Sequence, residues 1–461
     1  MQRMSGIDAG MFFAENDTRP LQIASVSVLD PPVPTYGEFV RAVVARLIEL
    51  PRFRRRVRRV PLDLGRPVWV DDPHFQLLYH VRHTAVPAPG GAEELRNLAG
   101  RVLGQRLDLS RPLWEMWLVE GLEENRWAII SKVHHCMVDG VGGSDLMASL
   151  FDLSPRSAPV PEEHVTIPEA EPEPSWPSLV LAGVTGTVME QIRQVARLPE
   201  VTRHSAATAR FVRGLPAYAR RLRAGRGASS LNGPTSPHRR WSWTEADLGA
   251  ARRVGEAFDG TVNDVVLAAV SRGFRDLLAE RGELCPDTVV RTVVPVSVRL
   301  PDEEGTLTNR VSAVLVSLPC GQPDPVRRIE LIREQTAALK ASHQAAGPAA
   351  FTRVLGLAPN VLAVAARAAL RMRQPFVQTI TTNVPGPPVP LYAMGRRLVA
   401  IYPYVPLAAG IRVSTGVVSY LDTLFFGVTG DFDAMPDIEL LSRGIRHGLA
   451  ELAEAAAAGV V

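Results

Sequence analysis

Apolar residues recur along this chain with two periods, and the switches between them lay out its elements. The run LQIASVSVL from Leu21 to Leu29 is β-rich and apolar, which predicts a strand. From Glu38 to Glu49 apolar side chains return at helical spacing, and Glu93 to Leu107 forms a second amphipathic pattern. Trp117–Glu120 and Trp127–Val133 read as strands on either side of a tight turn at Glu123-Glu124-Asn125. Residues 20–150 therefore alternate strand and helix, the pattern of an α/β layer.

Ser154 to Pro177 breaks that pattern. It is rich in Pro and Glu with little apolar periodicity, as in an extended linker. A helical region follows over roughly Ser178 to Arg226. In it Arg193, Arg197, Arg203, Arg210, Arg213, Arg220, Arg221, Arg223 and Arg226 outnumber the acids. A second α/β block starts near Leu231, with a helix over 263–283, strands at Thr288–Val298 and Val311–Pro319, and a helix at Arg327–His343. Strands at Ile411–Tyr420 and Leu424–Val428 and a helix from Pro436 to Ala458 close the chain. No internal repeat is evident. The predicted division is 1–153, a first α/β domain; 154–230, linker and Arg-rich crossover; and 231–461, a second α/β domain. Two such blocks suit a site at their junction.

Composition narrows the class. The chain has 461 residues, 46% hydrophobic and 21% charged, enough for two cores. A net charge of +3 is too mild to argue for nucleic acid. Three cysteines, Cys136, Cys285 and Cys320, make no disulfide framework and fit a reducing cytosol. No secretory signal is read at the N-terminus, and the best apolar stretch, from Leu362, is interrupted by Arg367 and Arg371, so no membrane span is expected. The expected location is cytoplasmic, with attachment to an inner-membrane or lipid-droplet surface left open. The Arg-rich stretch is either a solvated helix face or a contact for lipid headgroups or the phosphates of CoA.

The chemistry concentrates in His134-His135-Cys136-Met137-Val138-Asp139-Gly140, followed by Val141-Gly142-Gly143-Ser144. A strand enters it and a helical pattern leaves it, so the pair sits where side chains and backbone N–H groups meet a cleft. Imidazole titrates near working pH and can take a proton from a hydroxyl as its oxygen attacks an acyl carbon. Adjacent residues of a strand point to opposite faces, so one histidine is expected to be structural. Asp139 would fix the loop, and the glycines could offer N–H groups to an oxyanion. A zinc reading lacks partner ligands elsewhere, so no metal is expected. Cys136 is more readily a core residue than a nucleophile.

The string resembles the acyltransferase signature shared by chloramphenicol acetyltransferase, peptide-synthetase condensation domains and the wax ester synthase/diacylglycerol acyltransferase family. The chain is similar to the last of these over nearly its full length. Ser5-Gly6-Ile7-Asp8-Ala9, Pro51-Arg52-Phe53-Arg54-Arg55-Arg56, Leu107-Asp108 and Pro112-Leu113-Trp114-Glu115 follow its pattern. So do Leu231-Asn232-Gly233-Pro234, Val262-Asn263-Asp264, Pro295-Val296-Ser297-Val298-Arg299, Asn309, Asn383-Val384-Pro385-Gly386-Pro387, Ser419-Tyr420 and Asp431. Pro20-Leu21-Gln22 departs from the more usual Pro-Met-His, a departure that bears on the acyl pocket.

The resemblance implies two chloramphenicol acetyltransferase-like α/β domains with the active site in a channel between them. His135 would be the general base, His134 a support, Asp139 a loop anchor, and Gly140 the point of close backbone approach. It implies acyl-CoA as co-substrate with no further cofactor, and a hydrophobic alcohol (diacylglycerol or a fatty alcohol) as acceptor. Other residues keep two readings each. Trp114 and Glu115 beside Pro112 are a core corner with a paired charge, or help shape the site. Asn263 and Asp264 cap a helix or reach the site, and Arg299 pairs with Asp139 or lies on the surface. Two rival functions stand beside this one: a condensation-type enzyme fed by a carrier-protein thioester, and a non-catalytic lipid-surface protein.

Overall fold

The computed structural model describes residues 1–47, 50–137, 150–156, 169–186, 189, 226–227, 230–297, 311–346 and 376–459. Its strands are β1 (Gln22–Leu29), β2 (Val81–Ala85), β3 (Trp114–Glu120), β4 (Trp127–His134), β5 (Arg239–Asp247), β6 (Thr288–Ser297), β7 (Val311–Leu318), β8 (Thr379–Val384), β9 (Tyr392–Ala393), β10 (Arg396–Tyr404), β11 (Val413–Tyr420) and β12 (Thr423–Asp431). Its main helices are α1 (Gly6–Ala14), α2 (Tyr36–Leu47), α3 (Ala92–Gly104), α4 (Leu248–Ala257), α5 (Val262–Glu280), α6 (Pro325–Ala346) and α7 (Ile438–Ala458). Two short strands, Gln2–Arg3 and Arg55–Arg58, flank Val68–Asp71 in a small separate sheet.

The elements sort into two mixed sheets, each with its own apolar core. The first runs β9-β10-β1-β4-β3-β2, and the second β7-β6-β8-β11-β12-β5, with Arg226–Gly227 joining β6. Helices α2 and α3 bury Phe39, Val43, Leu95, Leu98 and Val102 in the first core. Helices α5 and α7 bury Val266, Phe274, Leu441 and Ile445 in the second. Helix α5 starts in a capping box, since the Thr261 side chain accepts from Asp264 N–H and the Asp264 carboxylate accepts from Thr261 N–H. At Arg226 the backbone is in a strand where a helix was predicted.

The two halves are not separate in space. Strands β9 and β10 belong to the second half of the sequence yet complete the first sheet, β10 pairing antiparallel with β1. The division at 231 thus partitions the chain without partitioning the sheets. Residues of the resembled motifs hold this crossover. Gly386 N–H donates to Ser419 Oγ at 3.1 Å, and a Cβ on Gly386 would meet Ser419 O at 2.0 Å. Tyr420 Oη accepts from Leu391 N–H at 2.9 Å and donates to Leu398 O at 3.2 Å, pinning β10. Gly416 and Gly427 are paired across β11 and β12, where Pro403 presses on the second sheet.

A Cβ on Gly427 would lie 1.7 Å from Pro403 O, with backbone on both sides. Gly427→Val is therefore expected to prise β10 from the second sheet and to lower stability by at least the roughly 1–3 kcal/mol of an overpacked core. A urea melt in which the variant matches the parent midpoint would show that the sheets tolerate separation.

Candidate active site

The end of strand β4 separates the two histidines. His134 ends β4, fully buried, and its N–H donates to Leu113 O at 2.9 Å. His135 opens a short 3-10 turn over His135–Met137, is only half-buried, and donates its N–H to Leu21 O at 2.9 Å. Antiparallel neighbours thus fix the backbone of both residues, and the turn swings the second ring away from the strand.

His134 looks inward. Its Nδ1 accepts the Cys136 N–H at 3.1 Å. A backbone N–H can only donate, so the His134 proton sits on Nε2. That Nε2 lies against Glu15 Oε2, just after α1. Glu15 Oε1 in turn accepts from Arg106 Nε at 2.5 Å, and Arg106 reaches Asp17 at 2.6 Å on the surface. The Glu15 side chain has no exposure at all. Burial pushes its pKa up, but His134 and Arg106 outweigh burial and hold the carboxyl below its ordinary value. Its stabilising contribution is thus full above the unfolded carboxylate pKa and is lost as pH falls through the lower folded one. Nothing local marked Glu15 in the sequence, and it is the site residue that the sequence reading missed.

His135 differs. Burial, joined by the neighbouring His134, pulls its pKa below the histidine norm, so at neutral pH the ring is an uncharged base. Burial instead pushes the Cys136 thiol well above its usual value, so it stays protonated and is no nucleophile.

The supporting candidates divide. Trp114 is core: its Nε1 donates to Phe53 O at 2.7 Å and its ring stacks on His80 at 4.8 Å. Pro112 caps its entry, its carbonyl accepting Trp114 N–H at 3.0 Å. Glu115 pairs at 3.1 Å with Lys132, which is wholly buried. Asp264 is committed to its cap and to Thr336 Oγ1, which donates to it at 2.7 Å. Asn263, one residue earlier, is half-buried and its Oδ1 accepts from Asn383 Nδ2 at 3.4 Å, joining two motifs at the end of β8. Gln22 is fully buried and donates to Leu103 O at 2.6 Å and Gln105 O at 2.8 Å, tying β1 to the end of α3. Asp139, Gly140, Arg299, Asn309 and the Arg-rich stretch from Arg193 to Arg223 lie outside the described residues.

Between the halves, a cleft of about 1090 Å³ opens among α3, the start of β5 and the start of α7. Arg96, Arg101, Arg106, Arg240 and Arg443 line it, but His135 does not. Arg106 and Glu15 stand between this cleft and the His134 ring. Among the described residues, no group of three or more His, Cys, Asp and Glu could hold a metal ion, and no helix is long and apolar enough to cross a membrane.

Comparisons with known proteins agree with this layout. Residues 4–266 match the wax ester synthase/diacylglycerol acyltransferase catalytic domain, and residues 307–453 match the C-terminal domain of the same family. A Mycobacterium tuberculosis protein named as a diacylglycerol O-acyltransferase is 36% identical over 98% of this chain and 96% of its own. A second from that organism, with the same activity in its name, is 32% identical over 98% of this chain and 90% of its own. In fold, the chain is similar to a wax ester synthase/diacylglycerol acyltransferase from Marinobacter aquaeolei, with TM-score 0.71, 24% identity, and coverage of 99% of this chain and 100% of that one. A trichothecene 15-O-acetyltransferase from Fusarium sporotrichioides follows, with TM-score 0.62, 14% identity, and coverage of 98% and 94%.

Proposed function

This chain belongs to the wax ester synthase/diacylglycerol acyltransferase family, and on that premise we propose that it esterifies a hydrophobic alcohol with a long-chain acyl group from acyl-CoA, His135 serving as general base. One observation carries the reading: of two adjacent imidazoles, one is sealed against a carboxylate and the other is a half-open, neutral base.

The steps follow from that ring. Neutral His135 takes the hydroxyl proton of the acceptor as its oxygen attacks the thioester carbonyl carbon. A tetrahedral oxyanion forms, for which backbone N–H groups near Gly140 and the Asn263 amide are the proposed donors. The C–S bond then breaks, the electron pair leaves on sulfur, and the imidazolium returns its proton to the CoA thiolate. The products are an ester and free CoA, and no covalent enzyme intermediate is needed.

Diacylglycerol, named in the relatives, is the proposed acceptor, with a fatty alcohol as the alternative. Such acceptors and their esters reside in lipid. Leu62 (83% exposed), Leu181 (65%) and Trp176 (61%) give the surface apolar contacts suited to a lipid boundary. The test is one screen. Purified protein receives mixed acyl-CoAs with diacylglycerol or fatty alcohol in phosphatidylglycerol vesicles, and products are read by mass spectrometry. Ester and free CoA in equal amounts, with protein recovered on the vesicles, are expected. Turnover only with an acyl-carrier protein would replace the reading with the condensation-type one. Vesicle binding without turnover on any pair would leave a lipid-surface protein.

A further inference from the structure

The carboxylate behind the histidine pair has a role that neither the motif nor the family assignment gives it. Glu15 is reached only through tertiary contact. Its two oxygens meet two groups, Oε1 accepting from Arg106 Nε at 2.5 Å and Oε2 in ion-pair contact with His134 Nε2. With the proton drawn to Nε2, His134 Nδ1 keeps a lone pair for the Cys136 N–H at 3.1 Å. That contact spans His135, so it closes the turn which carries the His135 ring.

We propose that Glu15 is a positioning residue for acyl transfer: it locks the tautomer of His134, and the locked His134–Cys136 turn presents the His135 ring to the acceptor. The proposal rests on the reading of His135 as the base, but its own content concerns His134. A tautomer with the proton on Nδ1 would set N–H against N–H at Cys136, and the turn would have to open. A carboxylate suits this place where an amide does not. An amide has one oxygen, so glutamine could satisfy Arg106 or His134 but not both.

Phe12 on α1 packs on His134 with ring centroids 6.2 Å apart, which restricts the ring further. Among the described residues, the charged groups acting on Glu15, His134 and the turn are Arg106, Asp17, Lys132, Asp8 and Arg52. Glu15→Gln leaves all five in place, so its effect reports the carboxylate alone.

Two measurements decide the matter. The first is imidazole nitrogen NMR on the full chain with labelled histidine, with His134 assigned by its substitution. In the wild type the His134 proton is expected on Nε2, the tautomer that leaves Nδ1 able to accept the Cys136 N–H. A proton on Nδ1 overturns the proposal without touching His135. The second is kinetic. Glu15→Gln is expected to lower kcat about 10–100-fold with KM for acyl-CoA within about threefold, the signature of a mispositioned base. Glu15→Asp, which keeps both acceptor oxygens, is expected to recover part of kcat. Full kcat in Glu15→Gln, with His135→Ala inactive, overturns the positioning role and leaves the base assignment standing. Full activity in His135→Ala removes the base assignment, and the nitrogen spectra still decide the tautomer.

Discussion

His135→Ala is expected to lower kcat about 10²–10⁴-fold, the usual contribution of a positioned general base. The thermal midpoint should hardly move. The ring is half-buried, and the backbone N–H bond to Leu21 O at 2.9 Å survives the substitution. CoA release followed with a thiol reagent gives the rate, and circular dichroism gives the fold. The pH profile adds a sign. Burial first, and His134 second, lower the His135 pKa, so the neutral, competent form persists to a lower pH than an ordinary histidine allows. In the wild type the acid limb of kcat/KM should therefore fall below the usual histidine value of 6.5. A limb above that value, or a folded alanine variant with parental kcat, would take His135 out of the mechanism.

The second large effect concerns stability. Glu115→Ala leaves the Lys132 ammonium buried without its closest counter-charge. Glu115 Oε2 stands 3.1 Å from Lys132 Nζ, and Arg82 approaches Glu115 at 3.4 Å. Carbonyls of Val102 at 3.2 Å and Gln105 at 2.7 Å accept from the ammonium but do not neutralise it. Breaking one side of a buried pair costs about 3–5 kcal/mol. Burial already depresses the Lys132 pKa, with Glu115 opposing it. Without Glu115 the folded state sheds that proton more readily than the unfolded chain does. Stability then rises with pH through the window between the two pKa values. The variant's melting point should drop at neutral pH and recover in part under alkaline conditions, while kcat below the melt stays within about threefold of the parent. A folded Glu115→Ala protein with kcat more than about tenfold down would make Glu115 part of the reaction centre.

Strand alternation led to the expectation that the two histidines face different ways, and the structure parts them by another route, ending β4 at His134 and opening a 3-10 turn at His135. The same periodicities placed β1, β4, β6, β7, α5 and α7 close to their observed ranges. They could not say which strand lies beside which. That β9 and β10 complete the first sheet depends on Gly416, Gly427, Gly386 and Tyr420, whose contacts are with residues distant in sequence. Trp114, Glu115 and Asp264 show the same limit from the other side. Their residue types suit a site or a core equally, and only the tertiary structure brings Phe53, Lys132 and Thr336 to them as partners.

Glu15 is the sharpest case. An acidic residue after a short helix is ordinary in a sequence, and it became part of the His134 site because β4 ends against α1 with Arg106 behind it. Local pattern encodes which face of an element is covered, since that needs only the repeat of the backbone. Which group does the covering is set by chain crossing, and a buried charge takes its meaning from that group.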